Sequence, residues 1–491
     1  MVGSATSKAH TVILEPDLLK NGLKCVSVKL SEVLERDKRL DASFFDIEGK
    51  KARQAINDCP YPKAPLFGQN GFAKKVYHFP RFRRIFVRNG IPIYTASQIL
   101  DTTPKPNKFI SPKTKAKLDA LRLKEGQIVM TCSGSIGFCS IVSRTLKDKL
   151  FSHDLIRINC ESPYETGFVY AFLKTKFGHK VVSTNNYGSV VTHIEPDHLK
   201  TVIVPILPDN IRKQVHDNVM HAFSLRDEAN DLEEQATELL YKHLKLPPID
   251  SLKVKYLSEN EELRAFSVNS SCWERRIDAS FHIPLVDEIL KTLGEGCSEI
   301  TNIGDKRVSQ KILLPGRFKR VYVDESYGTP FLSGGDILQY DPISVKYLSR
   351  KHSNRVKEEL TIQENMVLVT RSGTVGKVLL APKHFEGWTA NEHVIRITPS
   401  EQINVGYMYA FLASDYGTEL IKRFTYGSVV DEIDDVQLSS VEFPLPSKDI
   451  QDEIGNLVLE ASRKRTQAYV LEKRSIEQIQ QLIAHPTRVN S

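Results

Sequence analysis

The chain has 491 residues, 41% of them hydrophobic and 26% charged, with a formal net charge of +7. That length exceeds what a single hydrophobic core serves, so several folding units are expected. No run approaches the roughly 18 consecutive apolar residues of a membrane helix, and the N-terminus lacks the apolar core of a signal peptide, which together predict a cytoplasmic protein.

In chain order, the first segment that recurs is Arg39-Leu40-Asp41-Ala42-Ser43-Phe44, which returns as Arg276-Ile277-Asp278-Ala279-Ser280-Phe281. Residues 72–88 then carry Lys74, Lys75, Arg81, Arg83, Arg84 and Arg88 without an acidic residue, interleaved with Phe72, Tyr77, Phe79, Phe82 and Phe86. The alternation there predicts a strand with one basic face. Such a face suits phosphate contacts or a bidentate grip on guanine. Its return as Arg317-Phe318-Lys319-Arg320 argues against a merely solvated strand.

Thr131-Cys132-Ser133-Gly134-Ser135-Ile136-Gly137 returns as Thr370-Arg371-Ser372-Gly373-Thr374-Val375-Gly376. Tyr170-Ala171-Phe172-Leu173 returns as Tyr409-Ala410-Phe411-Leu412, and Tyr187-Gly188-Ser189-Val190-Val191 as Tyr426-Gly427-Ser428-Val429-Val430. All three pairs share one offset of 239 residues, so the chain is a tandem duplication of one folding unit. Between the matched blocks the halves diverge. Residues 50–80 find no partner in 287–316, and 101–120 resembles 339–359 only in being basic and polar. A shared scaffold with variable segments fits one recognition architecture reading two different targets, although drift in loops gives the same pattern.

Each half closes on a long amphipathic helix. After Val204-Pro205-Ile206-Leu207-Pro208, apolar or small residues fall at Ile211, Val215, Ala222, Leu225, Ala229, Leu232, Ala236, Leu239 and Leu240. After Phe443-Pro444-Leu445-Pro446 the rhythm runs through Ile450, Ile454, Leu457, Ala461, Ala468, Leu471, Ile479 and Leu482. Spacing of three and four with charged residues between predicts a coiled-coil pair, and the prolines mark the helix starts.

No catalytic constellation emerges. Gly373-Thr374-Val375-Gly376-Lys377 lacks the spacing and the closing Ser or Thr of a phosphate loop, and the first copy has Phe138 in place of the lysine. The segment predicts a tight strand–turn–strand whose N–H groups and Ser133 or Ser372 hydroxyls hold a DNA phosphate or serve only the turn. His153-Asp154 near Ser133 is not a triad, since the second half has Glu392-His393 in shifted order. Glu48-Gly49-Lys50 is too short to signal a nuclease, and no methyl-donor motif is present. Seven cysteines form no C-x-x-C pair, which predicts reduced thiols and no zinc site.

The order of these segments, a T-x-S-G-x-x-G turn, then Y-A-F-L, G-S-x-V and an apolar-Pro strand before a long helix, all twice, resembles the specificity subunit of Type I restriction-modification systems. The resemblance covers essentially the whole chain. It departs from the family at the helix starts, where a Pro-Leu-Pro-x-x-x-Glu-Gln turn is common and this chain has Pro205-Ile206-Leu207-Pro208 and Pro444-Leu445-Pro446 followed by other residues.

The resemblance implies an α/β protein with two tandem-repeated globular target-recognition domains separated by two long antiparallel coiled-coil helices in pseudo-twofold relation. The expected boundaries are 1–208 and 247–446 for the recognition domains and 209–246 and 447–491 for the spacer helices. It also implies double-stranded DNA, modification subunits and restriction subunits as partners. S-adenosylmethionine, ATP and Mg²⁺ would sit on those partners and no cofactor on this chain.

Candidate DNA contacts are Arg81, Arg83 and Arg84 in the first half and Arg317, Lys319, Arg320 and Arg371 in the second. Ser133, Tyr187, Ser189, Ser372, Tyr426 and Ser428 are candidates for backbone positioning. A self-sufficient DNA-modifying enzyme and a coiled-coil scaffold that binds no nucleic acid remain as alternatives. The bases read are not legible in the sequence.

Overall fold

The computed structural model describes residues 28–34, 44–115, 117–187, 192–254, 266–269, 276–342, 345–427 and 430–485. Residues 39–43 of the first repeated segment, Cys25, Cys272, Ser189 and Ser428 lie outside the described residues.

The fold is mixed α/β, and each half spells out the same elements. The first half runs α1 (Ile47–Asp58), β1 (Lys63–Pro65), β2 (Ala73–Tyr77), β3 (Phe86–Val87), β4 (Ile91–Ile93), β5 (Lys108–Ile110), β6 (Ile128–Thr131), β7 (Cys139–Ile141), β8 (Leu155–Cys160), α2 (Thr166–Lys174), α3 (Lys176–Ser183), β9 (Ile203–Pro205) and α4 (Asp209–His243). The second runs α5 (Pro284–Gly296), β10 (Ile300–Asn302), β11 (Ser309–Leu313), β12 (Tyr322–Val323), β13 (Gly328–Leu332), β14 (Lys346–Ser349), β15 (Val367–Thr370), β16 (Val378–Leu380), β17 (Thr389–Ala390), β18 (Val394–Pro399), α6 (Val405–Ala413), α7 (Asp415–Arg423), β19 (Glu442–Pro444) and α8 (Lys448–Ala484).

The sheets match as well. A four-stranded sheet of order β2-β8-β6-β7 has its counterpart in β11-β18-β15-β16, the β1-β9 ladder in β10-β19, and β3-β5-β4 in β12-β14-β13, which adds β17 at its edge. All these pairings are antiparallel except β13 with β17. Residues 50–80 and 287–316, which share no sequence pattern, therefore build equivalent elements: α1 and α5, β1 and β10, β2 and β11. The same holds for 101–120 and 339–359, which supply β5 and β14. A helix or strand needs only an apolar stripe at the right period, so identities diverge while the element survives. In α1 that stripe is Ala52 and Ile56; in α5 it is Leu285, Val286, Ile289 and Leu293.

The hairpins β6-β7 and β15-β16 turn through glycines with positive φ, Gly134 at +72° and Gly137 at +83°, Gly373 at +75° and Gly376 at +81°. Glycine enters that region without steric penalty. The following helix pair, α2-α3 or α6-α7, packs beneath the sheet, and α2 and α6 lie against α4 and α8 respectively.

α4 and α8 pair along their length, in opposite chain directions. His243 meets Glu453 at 2.9 Å near one end, whereas Lys464 meets Glu228 at 2.7 Å further along. Pro208 stands just before α4 and Ser447 just before α8. The buried face includes the apolar residues Val215, Ala222, Leu225, Ala229, Ala236, Ile454, Ala461, Ala468 and Ile479. It also buries Arg226, Asp227, Gln451, Glu472 and Ser475, which apolar spacing alone does not reveal. No helix among the described residues is long and apolar enough to cross a membrane.

The short helices reach the long ones through glycine. A Cβ at Gly406 would lie 2.1 Å from the Gly455 carbonyl oxygen, and one at Gly167 would lie 2.8 Å from His216 Cα. Gly406→Ala should therefore destabilise the protein by about 1–3 kcal/mol or more, as overpacking does. A chemical-denaturation midpoint equal to that of the parent chain would refute this close crossing.

Candidate nucleic-acid interface

The basic segments of the two halves occupy matching places. Ladder pairing with β5 covers only Phe86 and Val87, with Ile85 accepting from the Ser111 amide at 2.8 Å. The expected basic strand is thus confined to its last residues, and Arg81, Arg83 and Arg84 precede it in non-ladder backbone. Pro80, which has no N–H for a ladder, stands just before them. In the second half β12 is likewise only Tyr322 and Val323, preceded by Pro315 and Gly316.

Arg81, Arg83, Arg317 and Lys319 are exposed. Arg84 is half-buried beside His153. Burial lowers the pKa of His153 and so do the Arg84 and Arg81 charges, while Asp154 opposes them. His153 keeps its ring edge-on to Phe82, centroids 5.9 Å apart, and its Nδ1 has no partner. At the matching position the second half has Glu392, which accepts from Arg320 at 2.5 Å. Burial alone would raise the Glu392 carboxyl, but the hydrogen bond and charge of Arg320 outweigh it and hold it below its ordinary value. One module thus keeps a cation beside a neutral imidazole, and the other neutralises its cation.

Hydrogen bonds join the remaining candidates to these patches. His78 Nε2 lies 2.6 Å from Glu195, which accepts from Tyr187 Oη at 2.7 Å. Ser133 bridges to His193, which also pairs with Tyr187. In the second half Ser372 Oγ lies 2.7 Å from His393 Nδ1. Arg371 donates to Glu432 at 2.8 Å and to the Ile433 carbonyl at 3.0 Å, with the Tyr426 hydroxyl at 3.4 Å. Arg371 is therefore a pinned strut between turns; its first-half counterpart is the buried Cys132.

The glycine turns spend donors internally. Gly137 and Phe138 donate to Thr131, and Gly376 and Lys377 donate to Thr370. These four N–H groups are thus taken up within the turns.

Pattern reading misses two matched aromatic–cation pairs. Phe86 is 49% exposed with Lys108 Nζ 5.4 Å from its ring, and Tyr322 is 43% exposed with Lys346 Nζ 5.0 Å from its ring. Both pairs span equivalent strands, β3-β5 and β12-β14. An exposed ring with a neighbouring cation offers stacking together with phosphate attraction.

It also misses Arg157 and Arg396, 239 residues apart on β8 and β18 and almost fully buried. Arg157 donates to the carbonyls of Leu155 and Leu121, and Arg396 to those of Asn391, Val394, Leu360 and Ala390. Burial lowers the pKa of each to about 10. These arginines tie sheet to loop and present nothing outward.

The helix pair carries a buried polar cluster. Arg226 on α4 pairs with Glu472 on α8, and Arg465 on α8 pairs with Glu233 on α4, the latter with a second hydrogen bond at 2.8 Å. Each of these residues has its own type 239 positions away. Tyr170 of α2 donates to Glu472 at 2.8 Å, and Tyr409 of α6 shares the Glu233–Arg465 pair. The repeat offset, extended into the helices, carries the signal for all of them. Among the described residues no group of three His, Cys, Asp or Glu is placed to hold a metal, and Cys59, Cys132, Cys139, Cys160 and Cys297 are free thiols.

Residues 316–479 match the family model described as Type I restriction modification DNA specificity domain. The chain is 23% identical over 155 residues to the Type I restriction enzyme MjaIX specificity subunit of Methanocaldococcus jannaschii, an alignment covering 30% of this chain and 35% of that protein. The match thus spans about a third of the relative's length. Among solved structures, the S subunit of a Type I restriction-modification system from M. genitalium aligns at 14% identity and TM-score 0.31, covering 87% of this chain and 96% of that one. The HsdS subunit from Thermoanaerobacter tengcongensis aligns at 12% identity and TM-score 0.27, covering 86% and 99%. The stretch that matches the family model lies in the second half of the chain.

Glu472 supplies a test of the buried network. Burial would raise its carboxyl, but Arg226 and Lys174 hold it well below the usual carboxylate range. A depressed carboxyl contributes stability fully above its unfolded value of about 4.3, and that contribution is lost as pH falls below it. Glu472→Gln should cost about 3–5 kcal/mol at neutral pH, because it strands buried cations. Its stability should also fall less steeply than the parent's under acid, as read by denaturation midpoints between about pH 5 and 3. Equal acid slopes would remove Glu472 from the account.

Proposed function

We propose that this chain is the non-catalytic specificity subunit of a Type I restriction-modification enzyme, reading a bipartite duplex DNA target. The observation that carries the reading is the matched exposed patch of arginine or lysine and aromatic residues on each half, the second of which lies in the stretch that matches the DNA specificity domain model. In this reading residues 1–208 and 247–446 are the two recognition domains, and 209–246 and 447–491 are antiparallel coiled-coil spacers related by a pseudo-twofold axis. Modification and restriction subunits dock on the assembly in the cytoplasm. They supply S-adenosylmethionine, ATP and Mg²⁺, and the methyl transfer and cleavage steps.

Within each patch the roles divide by the contacts each residue makes. Arg81 and Arg83, with Arg317 and Lys319, are unburied cations suited to phosphates or to guanine edges in a major groove. Phe86 and Tyr322 give apolar contact beside them. Arg320 is held by Glu392 and Arg84 lies half-buried beside His153, while Arg371, Ser133, Ser372, Tyr187 and Tyr426 set the turns around the segment.

Arg81→Ala with Arg83→Ala should weaken binding to a duplex carrying the recognised site and lower the salt slope by about 1 for each phosphate that the chain no longer neutralises. Methylation mapping in a host that also makes the partner subunits should show relaxation confined to one half of the site. Arg317→Ala with Lys319→Ala should relax the other half. Unchanged retention on duplex DNA across a salt series in both double variants would favour a scaffold that binds no nucleic acid. Methyl transfer or cleavage by the purified chain alone would favour a self-sufficient enzyme.

A further inference from the structure

The helix pair has two equivalent corners, and only one is filled. At the Arg226–Glu472 corner, Tyr340 stacks on Arg226 with the guanidinium carbon 4.2 Å from its ring centroid. Its edge faces Phe223 at 6.2 Å, and its hydroxyl donates to Ser140 at 3.1 Å. Lys174 adds an ammonium 2.5 Å from Glu472 and also pairs with Asp341. The space left there is about 20 Å³.

At the Arg465–Glu233 corner the same frame is present with its filling removed. The 239-residue offset puts Ala413 in place of Lys174 and Ser462 in place of Phe223. The loops that enter the corners correspond through Ile99-Leu100 and Ile337-Leu338, which puts Thr102 in place of Tyr340. Those loops also pair with each other, Thr102 N donating to Leu338 O at 3.0 Å and Tyr340 N to Leu100 O at 3.2 Å. What remains is a cavity of about 470 Å³ lined by Thr102, Ala413, Ser462, Arg465, Glu233 and Tyr409. That volume lies within the range of about 300–1,000 Å³ typical of small-molecule sites.

The missing groups define what fits. Arg465 lacks the ring that lies over Arg226, and its Nε is buried without a hydrogen-bond partner. Glu233 lacks the ammonium that Lys174 gives Glu472, and a carboxylate already paired with one guanidinium still has capacity for another donor. Lys105, Lys377 and Lys422 also line the cavity, against Asp101 and against Glu233, which is already paired with Arg465. Their mutual repulsion adds to burial in lowering the pKa of Lys377, so an anion would relieve it. The lysine that imitates a phosphate loop in the sequence therefore faces a cavity of another kind.

We propose that this corner binds a mononucleotide: a flat, amino-bearing base stacked on Arg465 with its amine toward Glu233, and its phosphate on the lysine rim. The proposal does not depend on the patches assigned to DNA. A chain with one corner self-filled and the other open to a metabolite has a route for a soluble nucleotide to stiffen the junction between its halves.

Calorimetric titration of the full chain with AMP, with adenosine and with inorganic phosphate tests it. AMP should bind saturably at a single site, and adenosine and phosphate about tenfold more weakly or worse. Thr102→Tyr combined with Ala413→Lys imports the groups that fill the twin corner and should abolish AMP binding while keeping or raising the thermal midpoint. Should that variant fail to fold, Lys377→Gln provides the second reading: weaker AMP binding with adenosine binding unchanged. Absence of saturable AMP binding would overturn the proposal and leave the cavity as a seat for a partner's side chain. AMP binding that survives Lys377→Gln unaltered would place the nucleotide elsewhere and overturn it equally.

Discussion

Arg226 and Glu472 are removed from water almost completely, and Arg465 and Glu233 nearly so, at the interface of two helices. Taking such charges out of water costs several kcal/mol each, and their attraction recovers this only where the geometry is good. Arginine and glutamate stand one heptad apart on each helix, at 226 and 233 and at 465 and 472, so both lie on one face. Two copies of such a helix laid antiparallel bring each arginine against the other's glutamate. A slip by one turn would leave four buried charges without partners, so the pairs act chiefly on register. Because α2 packs on α4 and α6 on α8 through their glycine crossings, that register also fixes where each module sits.

The loop ladder between residues 100–102 and 338–340 acts on the same parameter. It joins the modules directly, so their separation is held at the helix interface and again where the loops meet. Lengthening α4 alone by a turn would have to break both. Asp227 adds a third tie, accepting from Ser143, Arg144 and Thr145 of the first module, with Asn230 reaching Thr102 and Thr145. The second module is tied differently: His384 makes one hydrogen bond to Thr466 at 3.3 Å and stacks on Tyr469 at 4.3 Å, and Asn404 donates to Asp452 at 2.8 Å.

How much of this is legible from sequence depends on what each residue does. Gly134, Gly137, Gly373 and Gly376 are readable as a turn because positive φ selects glycine, and Tyr170 and Tyr409 because a shared offset repeats them. The long helices are readable because alanine and leucine recur at three and four. The register device is not, since apolar spacing passes over arginine and glutamate, and only a partner helix shows that Arg226 is buried. The basic strand reads too long because alternation counts side chains, whereas a ladder needs a partner, and β5 offers one only to Phe86 and Val87. The correspondence of α1 with α5 is invisible because a buried helical stripe accepts Ala52 and Ile56 as readily as Leu285 and Ile289.

Duplication explains why the two corners differ. A doubled unit begins with identical surfaces, and any segment that meets its own counterpart must pack against a copy of itself. The 100–102 and 338–340 segments solve this with backbone hydrogen bonds, which are indifferent to side chains. Their side chains are then free to diverge, and they have: Tyr340 is large where Thr102 is small. Each substitution at one corner leaves the other untouched, because Lys174 and Ala413 never meet the same neighbours. The patches diverge under the same freedom, with His153 opposite Arg84 in one module and Glu392 opposite Arg320 in the other. Symmetry in the buried Arg–Glu pairs fixes the frame, and asymmetry accumulates only where that frame does not depend on it.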